Sequence, residues 1–442
     1  MIIANAITVL GTKNTVGSIQ WWRGLSGNVT VNPDDIIYDP ISAADLNASY
    51  VNLANPGTND VGVGSAPVFT NGWVFNGTSN YLSGIQPFGP SKTLIIWFEK
   101  FGQTGIYGAG DNKLLVRPYL SPATTRLTLQ TNADLIGDTQ CGILGLRRGQ
   151  PIFRNGKNTG VNLSSTWPAG TDYPIFIGAR NSAGTPLQFG AGSVYMYALY
   201  NRVLSDAEIK DVQDGMIAKY SETSPYESQV LSTNPIVYFP CNNSKGYFMV
   251  DKVSNIGSQS SRFGPTAGAD GPIGKGKAIQ GGSTASSSYC VAGDSWPVTA
   301  GVNLNEFSVA FWIKNINADP QARPCNIYSN TGAEYLAVEI RSGNIAMYFD
   351  DSGAVWNTGT LAVTPNDTWA HVVAYRSTSK GTCGIYLNGT HYTGAYSGLA
   401  GAYTTGVPDN QYPFLVQSMT GAMSDIAFYN HDLTQSEVNS LL

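Results

Sequence analysis

Charge is scarce in this chain. Only 12% of its 442 residues are Asp, Glu, Lys or Arg, against roughly 25% in an ordinary soluble domain. The 25 basic residues are scattered, with Arg147-Arg148 the one adjacent arginine pair, and the net charge is −5. A surface that binds phosphates needs clustered cations, so nucleic acid and anionic membranes are not expected partners. Cysteine is also sparse: Cys141, Cys241, Cys290, Cys325 and Cys383 form no C-x-x-C. The three histidines, His371, His391 and His431, stand apart from them, which excludes a zinc pattern. Four of the five cysteines fall in the second half. Buried free thiols are the expectation, with one or two disulfides as the alternative. No apolar run approaches the ~20 residues of a membrane span. The opening MIIANAITVLGTKNT lacks a basic start, a sustained apolar core and a small-residue cleavage site, so no signal peptide is expected. Lys/Glu-rich amphipathic stretches are nearly missing too, which argues against a helical bundle.

What the chain does hold is 42% hydrophobic residues, 24 Tyr and 50 Gly, with abundant Asn, Ser and Thr. Aromatic and β-branched side chains suit a pleated surface, and Gly and Asn tolerate the positive φ of tight turns. The expected class is all-β. The length suggests two or three domains.

Internal repetition fixes the organisation. GAGSVYMYALYNRVLSDAEI ends at Ile209, and GAMSDIAFYNHDLTQSEV ends at Val438. At a constant offset of 229, Tyr200-Asn201 meets Tyr429-Asn430, Leu204 meets Leu433, and Glu208 meets Glu437. In the first copy Val194, Met196 and Ala198 alternate with Tyr195, Tyr197 and Leu199, which predicts a strand with two faces. A hydroxyl residue then precedes a Glu by three places, Ser205 with Glu208 and Thr434 with Glu437, which predicts two capping boxes. Ile209, Val212, Met216 and Tyr220 follow at helical spacing, predicting a helix whose apolar stripe lies on the sandwich edge. Thr93–Lys100 matches Ser308–Asn315 and pairs Trp97 with Trp312. Ile152–Gly156 matches Ile385–Gly389, each a strand entering an Asn-Gly turn. Phe75-Asn76-Gly77 stands where the second copy has Ile279-Gln280-Gly281.

The expected divisions are an N-terminal arm or extra strands over 1–35, with no counterpart in the second copy. A sandwich follows over 36–220, a polar, proline-bounded linker over 221–235, and a second sandwich over 236–442.

These pieces resemble the laminin G-like / concanavalin A-like lectin and glucanase superfamily, particularly its pentraxin-like branch in bacterial and phage surface proteins. The residues that carry the resemblance are Phe311-Trp312, Trp369-Ala370-His371-Val372, Tyr386-Leu387-Asn388-Gly389 and the closing Tyr200–Ile209. The first copy lacks a W-x-H-V. The resemblance implies two tandem antiparallel β-sandwiches of jelly-roll, concanavalin A-like type, each closed by a short C-terminal helix. It says little about ligand.

Glucanases of this fold carry paired carboxylates on one strand, typically Glu-x-Asp-x-x-Glu, and no such motif occurs here. Asp34-Asp35 reads as a loop, Glu208/Asp211 as part of the tail helix, and His371 as a structural histidine in a strand rather than a general base. Relatives bind calcium at the sandwich rim, so calcium is the cofactor that the resemblance implies, with Asp350, Asp351 and Asp425 as candidate ligands. Sugar binding needs an exposed aromatic platform. Trp167, Trp296 and Trp356, in Pro/Ser/Thr/Gly/Asn loop contexts, are the candidates, whereas Trp73, Trp97, Trp312 and Trp369 lie in strand contexts and read as core.

The expected function is a non-enzymatic protein of a bacteriophage virion surface, namely a head decoration, head fibre or tail adhesin. Its expected partners are virion shell or tail proteins and host surface glycans. The alternatives are a bacterial cell-surface carbohydrate-binding adhesin and a glycan-degrading enzyme.

Overall fold

The computed structural model describes residues 20–442 apart from several connecting stretches. The longer of these are 101–106, 164–174, 221–225, 242–248, 259–265, 281–289, 292–302, 315–321, 329–333, 350–360, 363–367 and 394–411. The fold is mostly antiparallel β with few helices, and it forms two β-sandwiches. Among the described residues no helix is long and apolar enough to cross a membrane.

The two sandwiches repeat one topology. In the first, one sheet runs in the order Lys157–Asn162, Pro151–Arg154, Cys141–Arg147, Thr93–Lys100, Ala191–Tyr200, Trp73–Asn76, Val68–Phe69. Ile36–Tyr38 pairs with the far end of Ala191–Tyr200. The second sandwich runs Thr390–Thr393, Thr382–Leu387, Trp369–Ser377, Glu306–Lys314, Ala422–Tyr429, Lys277–Gln280, Thr266–Asp270, and Val237–Phe239 takes the place of Ile36–Tyr38. The paired motifs of the sequence therefore occupy equivalent strands. Cys141-Gly142-Ile143-Leu144 stands in the first copy where Trp369-Ala370-His371-Val372 stands in the second. Trp97 pairs with Ile143 in one, and Trp312 pairs with His371 in the other.

Alternation along each strand builds two cores. Leu94, Ile96 and Phe98 point between the sheets with Leu82 and Ile177 of the opposite sheet, while Ile95 and Trp97 point outward. In the second copy Val309, Phe311 and Ile313 face Cys325, Val338 and Met347, while Ala310 and Trp312 face out. Cys241, Cys325 and Cys383 are buried free thiols, and burial pushes the thiols of Cys325 and Cys383 up to about 12.

The predicted alternation of Val194–Leu199 is broken by a β-bulge. The register shifts between Val194 and Met196, so Val194, Tyr197 and Leu199 face inward while Tyr195, Met196 and Ala198 face outward. A bulge inserts one extra residue and re-aims the side chains beside it. The second copy bulges at the same place, between the positions that pair with Ala310 and Trp312.

Both capping boxes form. Ser205 N–H donates to Glu208 Oε2 at 2.8 Å, and Glu208 N–H donates to Ser205 Oγ at 3.2 Å. Thr434 and Glu437 make the same reciprocal pair. A second device precedes each box. Thr93 Oγ1 donates to the Arg202 carbonyl and accepts from Leu204 N–H. Ser308 Oγ does the same with His431 and Leu433. The helix Asp206–Tyr220 covers the outer face of the sheet rather than its edge, burying Ile209, Val212, Met216 and Ile217 against Ile95, Trp97 and Ile143. Gly145 permits this approach, since a Cβ there would lie 2.6 Å from Ile209 Cγ2.

Two of the expected divisions need correction. The described residues 20–35 are neither a separate arm nor extra strands: Trp21 is fully buried against the outer-face helix, and Tyr200 Oη donates to the Trp22 carbonyl. Residues 1–19 lie outside the described residues. Nor are residues 226–235 a linker. Tyr226 is buried, Glu227–Ser232 is a helix on the outer face of the second sandwich, and Thr233 Oγ1 lies 2.9 Å from Tyr429 Oη. The two segments share no sequence, yet each precedes the first strand of its sandwich and covers the same Tyr-Asn turn. The segment before residue 36 thus has a counterpart in position.

Candidate functional site

Trp167, Trp296, Trp356, Asp350 and Asp351 lie outside the described residues. Trp73 and Trp97 are core, as their strand contexts suggest, whereas Trp312 and Trp369 are only half-buried. Asp425 is not at a rim. It is the bulge residue of Ala422–Tyr429, with φ of 52°, and only 3% of it is exposed. Asp tolerates this left-handed conformation better than most residues. The Tyr238 hydroxyl donates to it and the Lys275 ammonium lies near it, where calcium needs six to eight oxygens and no competing cation, so Asp425 does not fit a calcium ligand. Among the described residues no group of three His, Cys, Asp or Glu could hold a metal ion.

Asp425 belongs instead to a polar cluster on the outer face of the second sandwich. Ser424, Trp312 and His371 pair laterally across three adjacent strands, and the rings of Trp312 and His371 are 5.0 Å apart. Tyr238 Oη donates to Asp425 Oδ1 at 2.7 Å. The remaining polar atoms, Asp425 Oδ2, Ser424 Oγ, Trp312 Nε1 and His371 Nδ1, are buried without a hydrogen-bond partner among the described residues. The Ser424 hydroxyl lies close enough to stabilise the Asp425 carboxylate without completing a hydrogen bond. The Trp312 indole likewise lies close enough to the Tyr226 hydroxyl to stabilise its ionised form without completing a hydrogen bond, and buried polar atoms left this short of partners call for an explanation.

Lys275 roofs the cluster. It sits in the turn between Thr266–Asp270 and Lys277–Gln280, which is closed by Lys275 N–H to the Pro272 carbonyl and Gly271 N–H to the Gly276 carbonyl. Its Nζ lies 3.6 Å from the centre of the Tyr226 ring and 5.3 Å from that of Trp312. Tyr226 is itself held by its hydroxyl, which donates to the Leu441 carbonyl.

Burial dominates the electrostatics. Desolvation raises the Asp425 carboxyl to about 7 against the opposing pull of Tyr238, Ser424 and the Lys275 charge. Desolvation, aided by the Lys275 charge, lowers His371 to about 3 and holds the ring neutral. The Lys275 ammonium is lowered by its own burial, with Asp425 opposing. The His371 backbone is locked independently: its N–H donates to Asn388 Oδ1 at 2.8 Å, and Asn388 N–H returns to its carbonyl at 2.9 Å.

The first sandwich builds the corresponding strand positions from hydrocarbon, beside the indole N–H of Trp21, which is buried without a partner among the described residues. Ile37 stands for Tyr238, each opposite an alanine of the central strand. Ile143 stands for His371, and Met196 stands for Asp425 as the second outward residue of the bulge. There Trp97 packs on Tyr195 at 5.4 Å, and Trp21 and Met216 close the layer. The sequence held this signal: at the repeat offset Asp425 falls on Met196, a polar residue where its twin is apolar. Reading Asp425 as a candidate calcium ligand at the rim missed it.

Several other carboxylates of the described residues are engaged. Asp35 accepts from Asn201 and Asn32 N–H, and Asp39 pairs with Lys219. Asp251 accepts from Tyr238 and Val253 N–H. A shallow groove of about 440 Å³ beside the helix Asp206–Tyr220 includes Asp211 and Asp214, but Ser26 and Lys210 already bind these two.

Residues 285–439 match the Laminin_G_3 family model, described as the concanavalin A-like lectin/glucanases superfamily. No curated protein matches the chain. Among solved structures, domain 4 of AbnA, a GH43 extracellular arabinanase from Geobacillus stearothermophilus solved with arabinotriose, is 18% identical. Its TM-score is 0.36, and the match covers 47% of this chain and 97% of that one. The binding domain of Paraclostridial Mosquitocidal Protein 1 is 15% identical at a TM-score of 0.38, with coverage of 48% and 52%. The binding domain of botulinum neurotoxin DC, solved with rat synaptotagmin II, is 13% identical at 0.37, with coverage of 48% and 52%. The chain spans about half the length of these two toxin domains.

Proposed function

We propose that this protein is a non-enzymatic recognition protein whose lectin-like sandwiches attach to glycans, displayed on the surface of a bacteriophage particle as a head decoration, head fibre or tail adhesin. The observation that carries the glycan reading is the match of residues 285–439 to the lectin/glucanase superfamily, on a sandwich that the chain contains twice. Two linked copies favour attachment, because a second binding event becomes intramolecular and avidity exceeds either affinity. The non-enzymatic reading draws support from the engaged carboxylates, since a retaining glycosidase needs two of them ~5–5.5 Å apart across a cleft. The virion reading draws support from the low charge and the wealth of Gly, Asn, Ser and Thr.

A glycan array followed by a reducing-sugar assay tests the first two parts. Binding without product is expected, and sustained sugar release would overturn the non-enzymatic reading. Antibody labelling of purified phage particles tests the third: discrete label on heads or tails is expected, and label confined to bacterial cell surfaces would favour an adhesin.

A further inference from the structure

We propose that Tyr226, Trp312 and Asp425 form an ammonium-binding site on the second sandwich, that Lys275 is its resident internal ligand, and that the site accepts an external primary ammonium group when Lys275 is withdrawn.

The geometry is that of a cation on aromatic faces. Nζ of Lys275 lies 3.6 Å from the Tyr226 ring centre, with the Trp312 ring at 5.3 Å. A cation within ≈ 6 Å of such faces is attracted by the ring quadrupole, more strongly where water is excluded. Behind the rings stands the Asp425 carboxylate, close enough that its charge and that of Lys275 stabilise one another.

Folding alone does not require this arrangement. The first sandwich fills the corresponding positions with Ile37, Ile143 and Met196, so the second has replaced hydrocarbon there with Tyr238, His371 and Asp425, although buried nitrogens without a partner among the described residues, Trp21 Nε1 and Gln213 Nε2, occur in the first sandwich's layer as well. Lys275 stands outside the strand pairing of the sheet. It is half-buried in a hairpin turn, and the strand pairing of Lys277 with Asp270 continues without it. The short distance to Tyr226 suits an unsubstituted ammonium on an alkyl stem, so primary alkylammonium groups are the ligand class.

The test uses the full chain with Lys275→Ala, and with Lys275→Ser as a second variant suited to a turn. Ethylammonium chloride is the probe, with sodium chloride at equal ionic strength and ethanol at equal concentration as controls. The readouts are the indole N–H signal of Trp312, assigned by loss in Trp312→Phe, and the melting temperature. In both variants we expect a melting temperature lowered by a few degrees, partial recovery with ethylammonium, and a saturable shift of the Trp312 signal that the controls do not produce. Lys275→Ala combined with Asp425→Asn should lose most of that response, and the native chain should show little. A Trp312 signal in both variants that responds to ethylammonium no more than to the controls overturns the proposal, as does an undiminished response in the double variant.

Discussion

Exchanging the buried polar residues of the second sandwich for their first-sandwich counterparts should expose two pH dependences that cancel in the native protein. The folded-state pKa of His371 is lowered, from 6.5 to about 3, by burial and then by Lys275. Between those values the unfolded chain binds a proton that the folded one refuses, so its contribution to stability rises with pH. The folded-state pKa of Asp425 is raised, from 3.8 to about 7, by burial. Between those values the folded state holds the proton that the unfolded chain has released, so its contribution falls with pH. Each slope is about 1.4 kcal/mol per pH unit. From about pH 4 to 6.5 the two oppose and stability should stay nearly level. His371→Ile leaves the Asp425 slope alone, so the second sandwich should weaken from pH 4 to 7 by on the order of 4 kcal/mol. Asp425→Met leaves the His371 slope, so stability should instead rise between pH 3 and 6.5 by a similar amount. The double exchange should be level again. Urea unfolding of the four proteins at half-unit pH steps reads these slopes from the transition that the exchanges move. Parallel curves for the two single exchanges would refute the reasoning.

Three further outcomes are expected. Ser308→Ala strands the buried Leu433 N–H and should cost about 1–3 kcal/mol in urea unfolding. Thr93→Val should do the same through Leu204, and a loss below 0.5 kcal/mol in both would contradict the role given to these hydroxyls. Gly145→Ala forces a methyl to 2.6 Å from Ile209 Cγ2, so the helix Asp206–Tyr220 should lift at a cost of about 1–3 kcal/mol, seen as a lower melting temperature. Thr434→Ala removes the capping box of Gln435–Ser440 and should cost about 1 kcal/mol, with faster amide exchange at Glu437.

The fold was legible because the chain states it twice. The Tyr-Asn turns, the paired Ser-Glu and Thr-Glu boxes and the matched tryptophans lie on equivalent strands, and local chemistry suffices to recognise each. The outer layer was not legible. Residues 20–35 and 226–235 do the same work with different sequences, since covering an apolar face demands hydrophobic bulk and a few backbone acceptors but no particular order. The bulge was hidden because period-two alternation is the rule that a bulge breaks. That one extra residue turns Asp425 toward Tyr238 and Lys275, whereas the calcium expectation assigned it to a rim. His371 was read as structural, and its buried, neutral place agrees with that, but its company was not foreseen. Trp312, His371 and Asp425 are far apart in sequence, and only strand pairing brings them together.

The ties between entry and exit carry a consequence for ancestry. In the second sandwich Tyr226 and Gln229, ahead of the first strand, donate to the carbonyls of Leu441 and Ser440 after the last. In the first, Leu25 and Ser26 are bonded to Asp211 of the closing helix. Each unit therefore begins and finishes at one spot on its surface, fastened there by its own contacts. A fold of that kind behaves as a cassette: a second copy can be spliced after the first without rethreading either. The same adjacency should let new termini be opened in a distant loop and the old ones be joined by a short bridge, leaving the sheet order intact.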